Sequence, residues 1–153
     1  MRRVLIAMEG ASCSDEAIQQ FASLFPPSEL TVFILAVIPP VSYPVELLPV
    51  STLYHWQSQE ALVALDRATS ALTAAGFASF GIIRIGEPVD AILSVAQELE
   101  ADLIVLGTHG RRGIKRLIRS SVAEAILAQA DCDVMVNPFD GDTAHGSLEH
   151  PAA

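Results

Sequence analysis

Five stretches of this chain are apolar with little interruption, and the segments between them carry apolar residues every three to four positions. Val4–Met8, Leu30–Ile38, Ser79–Ile85, Asp102–Leu106 and Asp133–Asn137 read as strands. In the first two the apolar residues run on rather than alternate, as in strands covered on both faces, the habit of parallel sheets, whereas in the last Val134 and Val136 alternate with Asp133, Met135 and Asn137. The first helix is predicted from a cap at Ser12 or Ser14 to about Phe25, with Ala17, Ile18, Phe21 and Leu24 on one face and Pro26-Pro27 as its stop. A second is predicted from about His55 to Ala75, with Leu62, Leu65, Ala68 and Leu72 inward and Gly76 at its end. Pro88 opens a third helix with Ile92, Val95, Ala96 and Leu99 on one face, and a fourth is predicted over Ser121–Ala130. Between Pro39 and Tyr54 the chain carries four prolines and no period, which reads as a long loop. It serves either as a lid or as plain packing.

Strict alternation of strand and helix builds βαβ units, hence a parallel sheet between two helical layers. Ligands of such sheets bind at the carboxyl ends of the strands, where the winding reverses. With five strands, the common orders put strands 1 and 4, or 1 and 3, beside that crevice.

The stretch from Leu103 to Glu124 carries the chemistry. An apolar strand ends at Gly107. A loop with His109, Gly110, Arg111, Arg112 and Gly113 follows, and Ser120-Ser121 opens a helix. Glycines admit close backbone approach, and a helix N-terminus presents N–H donors and the positive end of a dipole. Together they suit an oxyanion, phosphate above all. Ser121 and Glu124 also fit a capping box, so the same donors serve a structural cap or a phosphate.

Composition sharpens this reading. A chain of 153 residues, half of them hydrophobic, suits one packed domain. The net charge of −9 speaks against general binding to nucleic acid or to an acidic membrane surface. Yet Arg111, Arg112, Lys115, Arg116 and Arg119, five of the nine basic residues, fall within nine positions. That cluster is either a solvated face or a phosphate-facing loop. Cys13 and Cys132 give no disulfide framework and are expected to stay reduced. The apolar run after Arg3 ends at Glu9, short of a signal-peptide core, and no run reaches a membrane span, so a cytoplasmic location is expected. His55, His145 and His150 are scattered, and no spacing suggests a zinc site. Neither a Gly-x-Ser-x-Gly elbow nor a Gly-x4-Gly-Lys-Ser/Thr loop occurs, and no acid–base pair stands out, so the chain is not expected to be an enzyme.

Gly107-x2-Gly110-x9-Ser120-Ser121 resembles the Gly-x2-Gly-x9-Gly-Ser/Thr signature of the universal stress protein family. The likeness runs from residue 2 to residue 138. It includes the acid and glycine after strand 1 (Glu9, Gly10), Gly86-Glu87-Pro88 before the third helix, and Cys132-Asp-Val-Met-Val136. It implies a universal stress protein domain over residues 1–138 and an α/β fold. That fold is a five-stranded parallel sheet in order 3-2-1-4-5, Rossmann-like (adenine nucleotide alpha hydrolase-like), in three α/β/α layers. The tail, 139–153, is polar and glycine-containing and is expected to be disordered.

By the same resemblance, ATP, with Mg²⁺ on its phosphates, would lie between strands 1 and 4. Glu9 and Gly10 would meet the adenosine side, and Val37 would meet adenine through its backbone. Gly107, His109, Gly110 and Arg111 would wrap the phosphates, and Ser120, Ser121 and Val122 would hold them at the helix start. Two positions depart from the pattern. Glu9 stands where binding members have aspartate, and Ser120 stands where they have glycine. The resemblance further implies a homodimer through the last strand, by way of Val134 and Val136. The alternative function is a nucleotide-free member of the family acting through protein contacts. An adenosine-alpha-hydrolase enzyme is disfavoured, because neither Ser-Gly-Gly-x-Asp-Ser nor His-Ile-Gly-His follows strand 1.

Overall fold

A computed structural model describes residues 1–9, 15–40, 49–106, 121–136 and 147–149. The elements in chain order are β1 (Arg2–Glu9), α1 (Asp15–Leu24), β2 (Leu30–Ile38), α2 (Val50–Ala74), β3 (Ala78–Ile85), α3 (Pro88–Glu98), β4 (Leu103–Leu106), α4 (Ser121–Gln129), β5 (Asp133–Val136) and β6 (Ser147–Glu149). A short 3-10 turn, Pro27–Glu29, joins α1 to β2.

The sheet runs β3-β2-β1-β4-β5-β6. Its first five strands are parallel and take the order expected from the resemblance. Helices cover both faces because each central strand is apolar on both. Val4, Ile6 and Met8 of β1 join Val32, Ile34 and Ala36 of β2 under Ile18 and Phe21 of α1 and Ala61, Leu65, Ala68 and Leu72 of α2. On the other face Leu5, Ala7, Leu35, Ile104, Leu106 and Val134 meet Ile92, Val95 and Ala96 of α3 and Ala123 and Ile126 of α4. No polar side chain is buried among the described residues.

At the amino end, β1 is clasped to the turn before β4. The Arg3 N–H donates to Asp102 Oδ2 at 2.8 Å, and the Asp102 N–H donates to the Arg3 carbonyl at 2.8 Å. The Arg3 guanidinium donates to the Leu99 carbonyl at 2.9 Å and pairs with Glu100 at 3.2 Å. The β1–β4 neighbourhood, on which the crevice depends, is thus pinned at its far end.

Several expectations are corrected. The second helix starts at Val50, not near His55, with Pro49 as its cap, so the expected 39–54 loop gives up its last residues to α2. Val50, Ser51 and Thr52 are weak helix formers and hid the start. α2 turns Ala61 inward and leaves Leu62 half exposed, because only Ala61 keeps step with Leu65, Ala68 and Leu72. Leu24 is likewise exposed, and Ala22 and Phe25 pack on the core in its place. The end of α2 follows expectation. Gly76 takes φ +96°, with Gly76 N–H donating to the Thr73 carbonyl and Phe77 N–H to the Leu72 carbonyl.

The largest correction concerns the tail. Within the segment expected to be disordered, Ser147–Glu149 form β6, antiparallel to β5, with Val134, Met135 and Val136 opposite Glu149, Leu148 and Ser147. The edge at which a second copy was expected to meet Val134 and Val136 is therefore taken by the chain's own tail. An apolar strand end next to a polar tail still offers unmatched backbone groups, and the tail supplies partners for them.

Candidate functional site

The winding direction of the sheet reverses between β1 and β4. From β1 the chain steps outward through β2 to β3, and from β4 it steps the other way to β5. Two registers set the mouth of the crevice. Glu9, the last residue of β1, is opposite Val37 of β2. Ala7 is opposite Leu106, the last residue of β4, so β4 ends beside β1.

α4 connects this end to the start of β5, and since β4 and β5 are parallel, its N-terminus lies on the carboxyl side of the sheet. Ser121 is its first residue and is exposed, Val122 is half-buried, and Ala123 and Ile126 anchor the helix in the core. Glu124 lies in the first turn of α4. The structure thus gathers Glu9, Val37, Ser121 and Val122 at one end of the sheet. Gly10, Gly107, His109, Gly110, Arg111 and Ser120 lie outside the described residues.

A cavity of about 140 Å³ opens at the end of β2. Its walls are Ala36, Val37, Ile38 and Pro39, with Gln57, Glu60 and Ala61 from α2. The Gly86 N–H donates to the Ile38 carbonyl at 3.0 Å, which ties this wall to the turn after β3. Gln57 and Glu60 escaped sequence reasoning because the first turns of the inward face were assigned to Leu62 instead of Ala61, although Leu65, Ala68 and Leu72 were placed correctly. With Ala61 inward, its neighbour one turn earlier is Gln57, and that step was available in the sequence.

Larger clefts lie elsewhere. One of about 580 Å³ separates α3 from the end of α4 and is rimmed by Asp90, Glu100 and Asp131. A second, of about 350 Å³, has Arg2, Asp102 and Asp133 around Phe25, Leu30 and Met135. Carboxylates around the first repel a polyphosphate, so size is a poor guide and the strand ends are the better candidate. Cys132, in the first cleft, is half-buried. Burial pushes its thiol pKa up, and the charges of Asp133, Asp102 and Asp131 push it further. That is the reverse of an activated thiolate. Among the described residues no group of three potential ligands is placed to hold a metal, and no helix is long and apolar enough to cross a membrane.

A doubly wound parallel sheet with a helix start at the carboxyl side of its switch point defines an open α/β protein. The sequence profile described as the Universal stress protein family matches residues 1–138. The chain belongs to the universal stress protein family. It is 29% identical over 140 residues to Universal stress protein MJ0531 of Methanocaldococcus jannaschii, covering 88% of this chain and 81% of that protein.

Solved structures share the fold. The protein MJ0577 superposes with a TM-score of 0.75 at 23% identity, covering 89% of this chain and 94% of that one. The universal stress protein from Archaeoglobus fulgidus, solved in complex with dAMP, superposes with a TM-score of 0.62 at 21% identity, covering 89% and 97%. A family protein from Arabidopsis thaliana, solved with AMP bound, gives a TM-score of 0.64 at 17% identity, covering 93% and 94%.

Proposed function

We propose that this chain is a cytoplasmic stress-response regulator that binds an adenine nucleotide, ATP with Mg²⁺ on its phosphates, at the crevice between β1 and β4. One observation carries the reading. The end of β1 lies between the end of β2, with its small cavity, and the end of β4, which the glycine loop follows in the sequence. A base enters at Val37, the ribose side falls to Glu9 and Gly10, and the phosphates fall to Gly107, His109, Gly110, Arg111, Ser120, Ser121 and Val122. The positive end of the α4 dipole and the basic loop offset the phosphate charge. The dAMP and AMP complexes of the two fold relatives support the choice of an adenine nucleotide. Catalysis is confined to slow hydrolysis.

Such a regulator works as a homodimer. Through the last strand, Val134 and Val136 meet a second copy only after β6 has left its place beside β5.

Titration of the purified chain with Mg-ATP tests the ligand. Saturation at about 100 times Kd adds about 2.7 kcal/mol to folding stability. For a domain of this size that raises Tm by roughly 5–10 °C. An unmoved Tm, with no nucleotide released on acid extraction, overturns the reading. Glu9 and Ser120 favour a second one, since both depart from the family's nucleotide-binding pattern. In that reading the fold is a nucleotide-free interaction module, and Ser120→Gly confers ATP binding that the parent chain lacks.

A further inference from the structure

The cavity at the end of β2 joins two kinds of surface. Ala36, Ile38 and Ala61 give it a buried apolar floor. Ala61 is small where Leu65, the next inward residue of α2, is large, and this leaves the space above the strand end unfilled. Gln57 and Glu60 form the rim from α2, one helical turn apart and both exposed. Among the described residues neither side chain has a hydrogen-bond or ion-pair partner. At about 140 Å³ the cavity falls below the roughly 300–1,000 Å³ of sites that enclose a whole small-molecule ligand. It takes one flat ring and leaves the rest of the ligand outside. The strand backbone cannot read that ring from the α2 side. The Ile38 carbonyl already accepts from the Gly86 N–H, towards β3. Successive residues of a strand turn their backbone groups to opposite neighbours, so Val37 turns its own towards β1. Polar contact from the α2 side therefore falls to Gln57 and Glu60.

We infer that Gln57 and Glu60 select the base of the bound nucleotide by reading the N6/N7 edge of adenine. The Glu60 carboxylate accepts from the exocyclic amino group, and the Gln57 amide donates to N7. The inference rests on the nucleotide reading above and adds to it what chooses the base. The pair fits one purine edge. An ionised carboxylate only accepts, whereas an amide N–H donates. Adenine shows a donor at N6 beside an acceptor at N7, and guanine shows acceptors at both O6 and N7. With a 6-oxopurine, the Glu60 carboxylate meets O6, and two acceptors oppose each other. Both side chains are open to water, so each contact is modest. The hydrogen bond to the charged group is worth about tenfold in affinity, and the neutral one about threefold.

Calorimetric titration of the full chain with Mg-ATP, Mg-ITP and the magnesium salt of 7-deaza-ATP tests the pair. ITP carries an oxygen in place of the amino group, and 7-deaza-ATP carries C–H in place of N7. The parent chain is expected to prefer ATP to both. Glu60→Ala is expected to shrink the preference for ATP over ITP about tenfold and to leave that over 7-deaza-ATP unchanged. Gln57→Ala is expected to do the reverse, by about threefold. Ratios are the readout because the change in net charge shifts all three ligands alike. Both positions are exposed, and thermal melts confirm that the variants are folded. An ATP-to-ITP ratio that Glu60→Ala does not move overturns the inference and leaves nucleotide binding intact. So does a preference over 7-deaza-ATP that Gln57→Ala does not move. A parent chain that binds none of the three overturns the nucleotide reading, and this inference with it.

Discussion

The β5 and β3 sides of the sheet face the same backbone problem with different resources. β5 has four residues, and Val134 at its centre is 1% exposed. β3 has eight, and most of them are exposed or half-exposed. The short strand is covered by helix and tail, and beyond the long one no strand pairs among the described residues. Strand length and apolarity alone would have reversed that assignment. What differs is the neighbourhood. β5 shares its buried face with α3 and α4, whereas β3 leans on α2 on one face and extends past the helical layer on the other.

The contrast is broken most sharply at Val134. Val134→Asp leaves an unpaired charge in a dry site and is expected to cost about 3–5 kcal/mol, read by urea unfolding. Ile85→Asp, on β3, is expected to cost about 0.5 kcal/mol or less. Equal costs would abolish the distinction between the two sides. A smaller effect attaches to the tail strand. Leu148→Pro removes one β6 donor and is expected to cost about 1 kcal/mol. Amide exchange at Val134–Val136 rises in the same variant, while β3 is unaffected. Smaller again is Arg84→Ala. Its ion pair with Glu98 is largely solvated, so stability should change by no more than about 0.5 kcal/mol.

Cys132 reports on β5 without changing stability. Its thiol pKa lies above the ordinary value, so at any pH below it the reactive thiolate is scarcer than in an unfolded chain. With Cys13 replaced by serine, alkylation near pH 8 is expected to be slower in the folded than in the urea-unfolded protein. The gap narrows as pH rises through the folded pKa. Equal rates would mean that the start of β5 is as wet as β3.

Much of the fold was legible along the chain. The apolar runs at Leu30–Ile38 and Leu103–Leu106 mark strands because both faces of each are covered, and Gly76 and Pro88 mark helix ends because each has its own backbone chemistry. Of the candidate site residues, most lie outside the described residues. Glu9 and Val37 were named from the resemblance, and the register puts them opposite each other. Gln57 and Glu60 were not named, because a phase error of one residue at Leu62 turned α2 away from the crevice. The tail misled for the opposite reason. Ser147–Glu149 is only three residues long and has no β-branched residue, so little local announces a strand.

The sequence by itself determined the layers, the strand and helix types, and the helix ends, since each follows from the spacing of apolar residues and from glycine and proline geometry. Tertiary structure alone decided which residue of α2 lines the cavity, which stretch of the tail becomes β6, and which side of the sheet it pairs with. Those outcomes depend on pairing between residues far apart in the chain. Their energies come from neighbours that no local window contains.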